Sequence, residues 1–316
     1  MARGSRHLLT ASVALAVSAA AQAGEPPRVV ASILPLHALA ASVMEGVASP
    51  SLLVPPGASP HSFQLKPSDA RRLQEADLVL WVGPMLETFL EKPLATLGSK
   101  ALIVEVARLP GIALLPVREG GVWAEHAHDH GHERGTKAEL AHQIDGHLWL
   151  DPMNGAVVVK ALGELLAERD SERGAIYRAR ARQEVERLEE LDRALASRLA
   201  AVKDEPFVVF HDAYQYFERR YGLSAAGSIT VSPERQPSAK RLANLRRTIR
   251  ERGAVCVFAE PQFKAPVVAS VVEGTGARTA MLDPVGASPL QPGPGAYRAL
   301  LKNLAEDLAG CLMPTG

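Results

Sequence analysis

Short apolar runs alternate with helical patterns across residues 28–106. Residues 29–34 read as a buried strand followed by a helix ending near Gly46, and 51–54 as a second strand. Residues 67–76 read as a helix opened by Pro67, which suits a first helical position. A strand at 78–82 is closed by Gly83-Pro84, and a helical segment broken at Pro93 leads into a strand at 101–106. Such alternation implies a mostly parallel sheet with helices on both faces.

From 155 to 203 the pattern turns helical. Val185, Leu188, Leu191, Leu195 and Leu199 keep one apolar stripe, with Arg and Glu on the other faces. Asp170-Ser171 is placed to cap the second half, and the run 175–201 contains neither Gly nor Pro. At ~1.5 Å per residue that run extends roughly 40 Å, a stiff connector. Strand candidates return at 207–210, 254–259 and 279–282, with helices at 235–252 and 295–309. Arg235-Gln236-Pro237-Ser238 serves as turn and N-cap of the first of these helices. The expected fold class is α/β: two similar lobes with parallel sheets, at 24–154 and 204–316, joined by a long rigid backbone helix at 155–203.

Residues 118–146 break the pattern, being polar, His-rich and aperiodic, as in a surface loop. The N-terminus also stands apart. Arg3 and Arg6 precede an apolar stretch at 8–21 and the small-residue site Ala21-Gln22-Ala23. That is the pattern of a cleavable secretory signal at 1–23, and the stretch is short for a membrane anchor. Its removal takes two arginines and no acid, so 35 bases against 35 acids become 33 against 35. A balance so near neutral excludes nucleic acid or an anionic membrane surface as the evident partner. The chain is expected to be exported, uninserted in the membrane and monomeric.

Composition adds that 47% apolar residues support a sizeable core, while 5% aromatics leave it to Leu, Val and Ala. Cys256 and Cys311 are the two cysteines. They are either two buried thiols or, as export favours, a disulfide tying a strand of the second lobe to the C-terminal helix.

The chemistry lies in the histidines. His61 follows the strand at 51–54 through Pro55-Pro56-Gly57-Ala58-Ser59-Pro60, and His211 directly follows the apolar run 207–210. Ligands of open α/β sheets gather beyond the carboxyl ends of strands, so each points into a cleft between lobes. His147, in Asp145-Gly146-His147-Leu148-Trp149-Leu150-Asp151-Pro152, precedes its apolar run and enters from the loop. Glu260 and Asp283 each follow a strand of the second lobe. Three imidazoles with a carboxylate or water make a tetrahedral zinc set. His37, inside a helix, reads as structural. Glu125-His126-Ala127-His128-Asp129-His130-Gly131-His132-Glu133 reads either as a solvated loop or as a weak auxiliary metal loop, with His142 as a further member.

The segments Pro56-Gly57-Ala58-Ser59-Pro60-His61, Lys66-Pro67-Ser68-Asp69, Gly146 to Pro152, Phe210-His211-Asp212-Ala213-Tyr214, Ala259-Glu260-Pro261-Gln262-Phe263 and Leu282-Asp283-Pro284 occur in this order. Together they resemble the metal-specific solute-binding proteins of ABC importers, most closely the zinc-uptake (ZnuA-type) branch. The resemblance implies two lobes joined by a rigid helix with Zn2+ between them. It further implies His61, His147 and His211 as ligands, Asp283 at the acidic position, a Cys256–Cys311 disulfide and periplasmic delivery to a membrane permease. Manganese-type relatives carry a carboxylate where His211 stands, so this histidine favours zinc. Some zinc-type relatives place Glu before the first histidine where this chain has Pro60, which leaves Asp283, Glu260, water or a loop histidine for the fourth position. A zinc hydrolase is the rival reading, but no His-Glu-x-x-His motif occurs, so no enzyme is expected.

Overall fold

The computed structural model describes residues 24–96, 100–118, 123, 143–230, 237–263, 266–287 and 290–314. The expected signal at 1–23, the histidines at 126, 128, 130, 132 and 142, and Arg235-Gln236 lie outside these. The N-terminal lobe contains β1 (Val29–Ala31), α1 (Leu34–Val43), β2 (Ser51–Leu52), α2 (Pro67–Glu75), β3 (Leu78–Trp81), α3 (Glu91–Thr96) and β4 (Leu102–Glu105). Its strands pair in parallel in the order β2-β1-β3-β4, with Val30 opposite both Ser51 and Val79. β1 and β3 are buried throughout, as expected of parallel strands covered on both faces.

The C-terminal lobe repeats the plan with β5 (Phe207–His211), α6 (Gln215–Tyr221), β6 (Ala225–Thr230), α7 (Ala239–Arg252), β7 (Cys256–Ala259), α8 (Pro266–Val272), β8 (Arg278–Met281) and α9 (Ala296–Leu312). Its parallel order, β6-β5-β7-β8, is that of the first sheet. Ser238 accepts the Arg241 N–H at 3.2 Å and so caps α7.

Between the lobes, the segment expected as one connecting helix is two: α4 (Pro152–Arg169) and α5 (Gly174–Leu199). Asp151 caps α4 by accepting the Met153 N–H at 2.8 Å. The chain reverses at Asp170, whose carboxylate accepts from Arg173 at 2.8 Å and from the Tyr177 hydroxyl at 2.9 Å. Gly174 lies against Ala167, Arg178 pairs with Glu164, and Gly163 faces Ala181, so the helices run antiparallel. The 26 residues of α5 span roughly 39 Å at ~1.5 Å each, so this helix alone supplies the long rigid element.

All ten residues of α1 are buried, because it packs on α4, α5 and α9 at once. The helix from the far lobe, α9, thus meets the near lobe directly. Ala31, Leu39, Trp149, Leu188, Phe207 and Leu304 belong to one apolar cluster running through both lobes. The Cys256–Cys311 disulfide joins β7 to α9.

Candidate metal centre

In each sheet, connections run outward in opposite directions from the two central strands, and a crevice opens beyond their carboxyl ends. In the C-terminal lobe these strands are β5 and β7. His211 is the last residue of β5, and Glu260 immediately follows β7. The Nδ1 of His211 meets Oε1 of Glu260 at 2.7 Å, and the His211 backbone N–H donates to the same oxygen at 3.3 Å. Glu260 is buried, which pushes its carboxyl up to about 8 against the opposing pull of the His211 backbone N–H.

His147 sits before a short 3-10 turn, Leu148–Leu150. Its Nδ1 lies 2.7 Å from Oδ1 of Asp145, which also accepts the His147 backbone N–H at 3.0 Å. A carboxylate on Nδ1 fixes the ring and directs Nε2 outward, the arrangement common beside metal-binding imidazoles. The two outward atoms meet: Nε2 of His147 and Nε2 of His211 are 3.2 Å apart.

His61 arrives from the other side of the crevice. It is half-buried at the end of the proline-rich turn after β2, where its backbone N–H donates to Ser59 Oγ at 3.3 Å. Its ring centroid is 5.3 Å from that of His147 and 5.7 Å from that of His211. One nitrogen from each of the three lies within 4.8 Å of the others. Two Zn–N bonds of ~2.0–2.1 Å at a tetrahedral angle hold their nitrogens about 3.3 Å apart, so the His147–His211 spacing fits two ligands of one ion. Pro60, Phe263, Pro284 and Val285 line the same small cavity. The Phe263 ring stacks on Phe210 and stands edge-on to His211.

The structure brings together the three expected histidines, but it does not bring Asp283 into the group. The Asp283 carboxylate accepts from Gln262 Nε2 at 3.1 Å and from the backbone N–H groups of Val285, Gly286 and Ala287 at 3.2, 2.9 and 2.5 Å. These bonds order the loop after β8. Glu260 serves as orienter of His211, on the ring edge opposite Nε2. His37 is buried in α1 with Nε2 at 3.0 Å from the Pro50 carbonyl, and burial lowers its affinity for a proton. It is structural. The contact of Asp145 with the His147 ring was missed from sequence, although its signal, an acid two residues before a candidate histidine, was in plain view.

Residues 29–311 match the family described as zinc-uptake complex component A, periplasmic. Among curated proteins, the chain is 44% identical over 313 residues to the high-affinity zinc uptake system protein ZnuA of Brucella abortus, covering 92% of this chain and 93% of that one. It is 37% identical over 291 residues to the ZnuA of Yersinia pestis, covering 90% and 91%. Among solved structures, the periplasmic zinc binding protein TroA of Treponema pallidum superimposes with a TM-score of 0.76 at 21% identity, covering 92% of this chain and all of that one. At that identity the likeness speaks for the fold. The chain belongs to the zinc-uptake complex component A family.

Proposed function

We propose that this protein captures Zn2+ between its lobes through His61, His147 and His211 and hands it to the permease of an ABC importer. The observation that carries the reading is the 3.2 Å separation of two carboxylate-backed imidazole Nε2 atoms with a third imidazole beside them. Three nitrogen donors favour zinc over manganese, which prefers an oxygen-rich set. The fourth position falls to Asp283, which follows β8, or to an exchangeable water. Export to the periplasm accords with the Cys256–Cys311 disulfide, with the periplasmic description of the family, and with described helices none of which is long and apolar enough to cross a membrane. The His-rich segment is proposed only as a source of weak additional sites.

Titration calorimetry with zinc and with manganese tests this. One tight zinc per chain is expected, with manganese far weaker. His147→Ala and His211→Ala should each weaken zinc binding by more than ~100-fold, beyond the ~10–100-fold typical of losing an orienting partner. Deleting residues 118–142 should remove only weak binding. Near-unchanged affinity in the histidine variants, or ester or peptide turnover abolished by a chelator, would sink the proposal.

A further inference from the structure

His147 precedes the connector in sequence, yet the segments that flank it are hydrogen-bonded to the far lobe. Residues 113–118 and 143–147 form a narrow antiparallel ribbon, with Pro116 opposite Ile144. Within it the Val117 N–H donates to Gln143 O, and the Asp145 N–H to Leu115 O, both at 2.9 Å. A single phenol from α6 clamps both strands: the Tyr216 hydroxyl accepts the Leu115 N–H at 2.9 Å and donates to the Asp145 carbonyl at 2.9 Å.

Arg118, at the end of the ribbon, adds a second clamp. Its Nε donates to Asp212 at 3.0 Å, and its Nη1 and Nη2 donate to Glu218 at 2.8 and 2.9 Å. Asp212 adjoins His211, and Glu218 lies on α6. On the other flank, Trp149 donates to the Pro284 carbonyl at 2.8 Å, and the Tyr297 hydroxyl of α9 donates to the Trp149 carbonyl at 2.5 Å. Toward the N-terminal lobe, Gly146 instead meets the apolar side chains of Met85 and Leu86.

We infer that His147 moves with the C-terminal lobe, docked there by Tyr216 and Arg118 as positioning residues, so that His147 and His211 form one preassembled half-site. Zinc capture then brings the His61 turn onto that pair. Two ligands already at metal-binding separation need little further ordering when the ion arrives, and the cost of closure falls on one turn. That turn suits the part: Pro55-Pro56-Gly57 is exposed, Gly57 has φ +87°, and its His61 is the least buried of the three. The inference rests on the three histidines being the zinc site.

Amide hydrogen exchange on the full chain, zinc-free and zinc-loaded, tests it. The N–H groups of Leu115, Val117 and Asp145 should be as protected as those of α6 in both states. Added protection on zinc binding should be confined to 55–66. Tyr216→Phe keeps the ring and removes both hydrogen bonds. It should lower ribbon protection about tenfold in the zinc-free protein and speed zinc dissociation about tenfold, with protection in α5 unchanged. Should that variant fail to fold, Arg118→Lys, which keeps the charge and loses the fork, is read the same way. The inference is overturned if the ribbon of the zinc-free wild type exchanges freely and gains protection together with 55–66, or if the folded variant alters neither quantity. Failure of the wild type to bind zinc would overturn the site instead, while zinc-free exchange would still decide where the ribbon docks.

Discussion

Glu87 follows β3, the second of the two central strands of the N-terminal lobe, after the turn 82–86. Fully buried, it accepts from the Ser32 hydroxyl and from the backbone N–H groups of Val82 and Gly83 at 3.2 and 3.0 Å. Burial pushes its carboxyl up to about 7, against the pull of those hydrogen bonds. Because the folded value lies above the unfolded one, the protonated form favours the fold. That stability is fully present below the unfolded value of ~4.3 and is lost as pH rises toward 7, at ~1.4 kcal/mol per unit or about 4 kcal/mol in all. Glu87→Gln keeps the shape without the charge, so its unfolding free energy should fall less than the wild type's between pH 5 and pH 8. Parallel declines in urea titrations at the two pH values would mean that Glu87 does not titrate there. Such a residue is invisible in sequence, since its burial depends on strands that only the fold assembles. The candidate histidines were legible for the opposite reason. His211 ends β5 and His61 closes the turn that follows β2, so both lie beyond the carboxyl end of a strand, where an open parallel sheet forms its crevice. The pairing of Glu260 with His211 was not: they are 49 positions apart and meet only because β5 and β7 are neighbours.

Helix pairing is the clearest case in which local pattern and assembled element diverge. The helical pattern suggested one connecting helix over 155–203, with Asp170-Ser171 capping its second half, whereas the reversal at Asp170 yields two helices, packed closely at their crossing. A Cβ on Gly163 would stand 2.6 Å from the Cβ of Ala181, an atom fixed to the backbone and unable to rotate away. Gly163→Ala should therefore destabilise by ~1–3 kcal/mol from overpacking, which outweighs the ~1 kcal/mol gain in helix propensity. Gly310→Ala supplies the control: it lies exposed on α9 with nothing within 4 Å of its Cβ, and the same change there should be neutral or stabilising by up to ~1 kcal/mol. Thermal unfolding of the two variants decides it, and equal shifts would remove the packing explanation. Of the elements missed from sequence, β6 and α6 have weak signals of their own. β6 runs Ala-Ala-Gly-Ser-Ile-Thr, poor in the branched and aromatic residues that mark strands, and α6 has seven residues, too few to establish a period. Both are held by neighbours, β6 through its ladder with β5 and α6 through Arg118 and Tyr216.

At the scale of the whole molecule the two lobes are not free bodies on a hinge, because α9 reaches across to α1 and α5 and one core runs through both. The disulfide bears on that arrangement more than on the site. Cys256 is the first residue of β7, while Glu260 lies just past its other end, roughly 13 Å along the strand. The bond therefore fastens α9 to the end of the sheet remote from the histidines. Closing a loop of 55 residues constrains the unfolded chain by ~4 kcal/mol on the chain-entropy view. Cys256→Ser combined with Cys311→Ser should lower the unfolding midpoint by on the order of 10 °C in a protein of this size. Zinc affinity, measured below that midpoint, should change by less than about threefold, since the ribbon, His211 and Glu260 keep their partners. A large loss of affinity with little loss of stability would reverse this division of labour, making α9 part of what holds the metal ligands rather than what holds the lobes together.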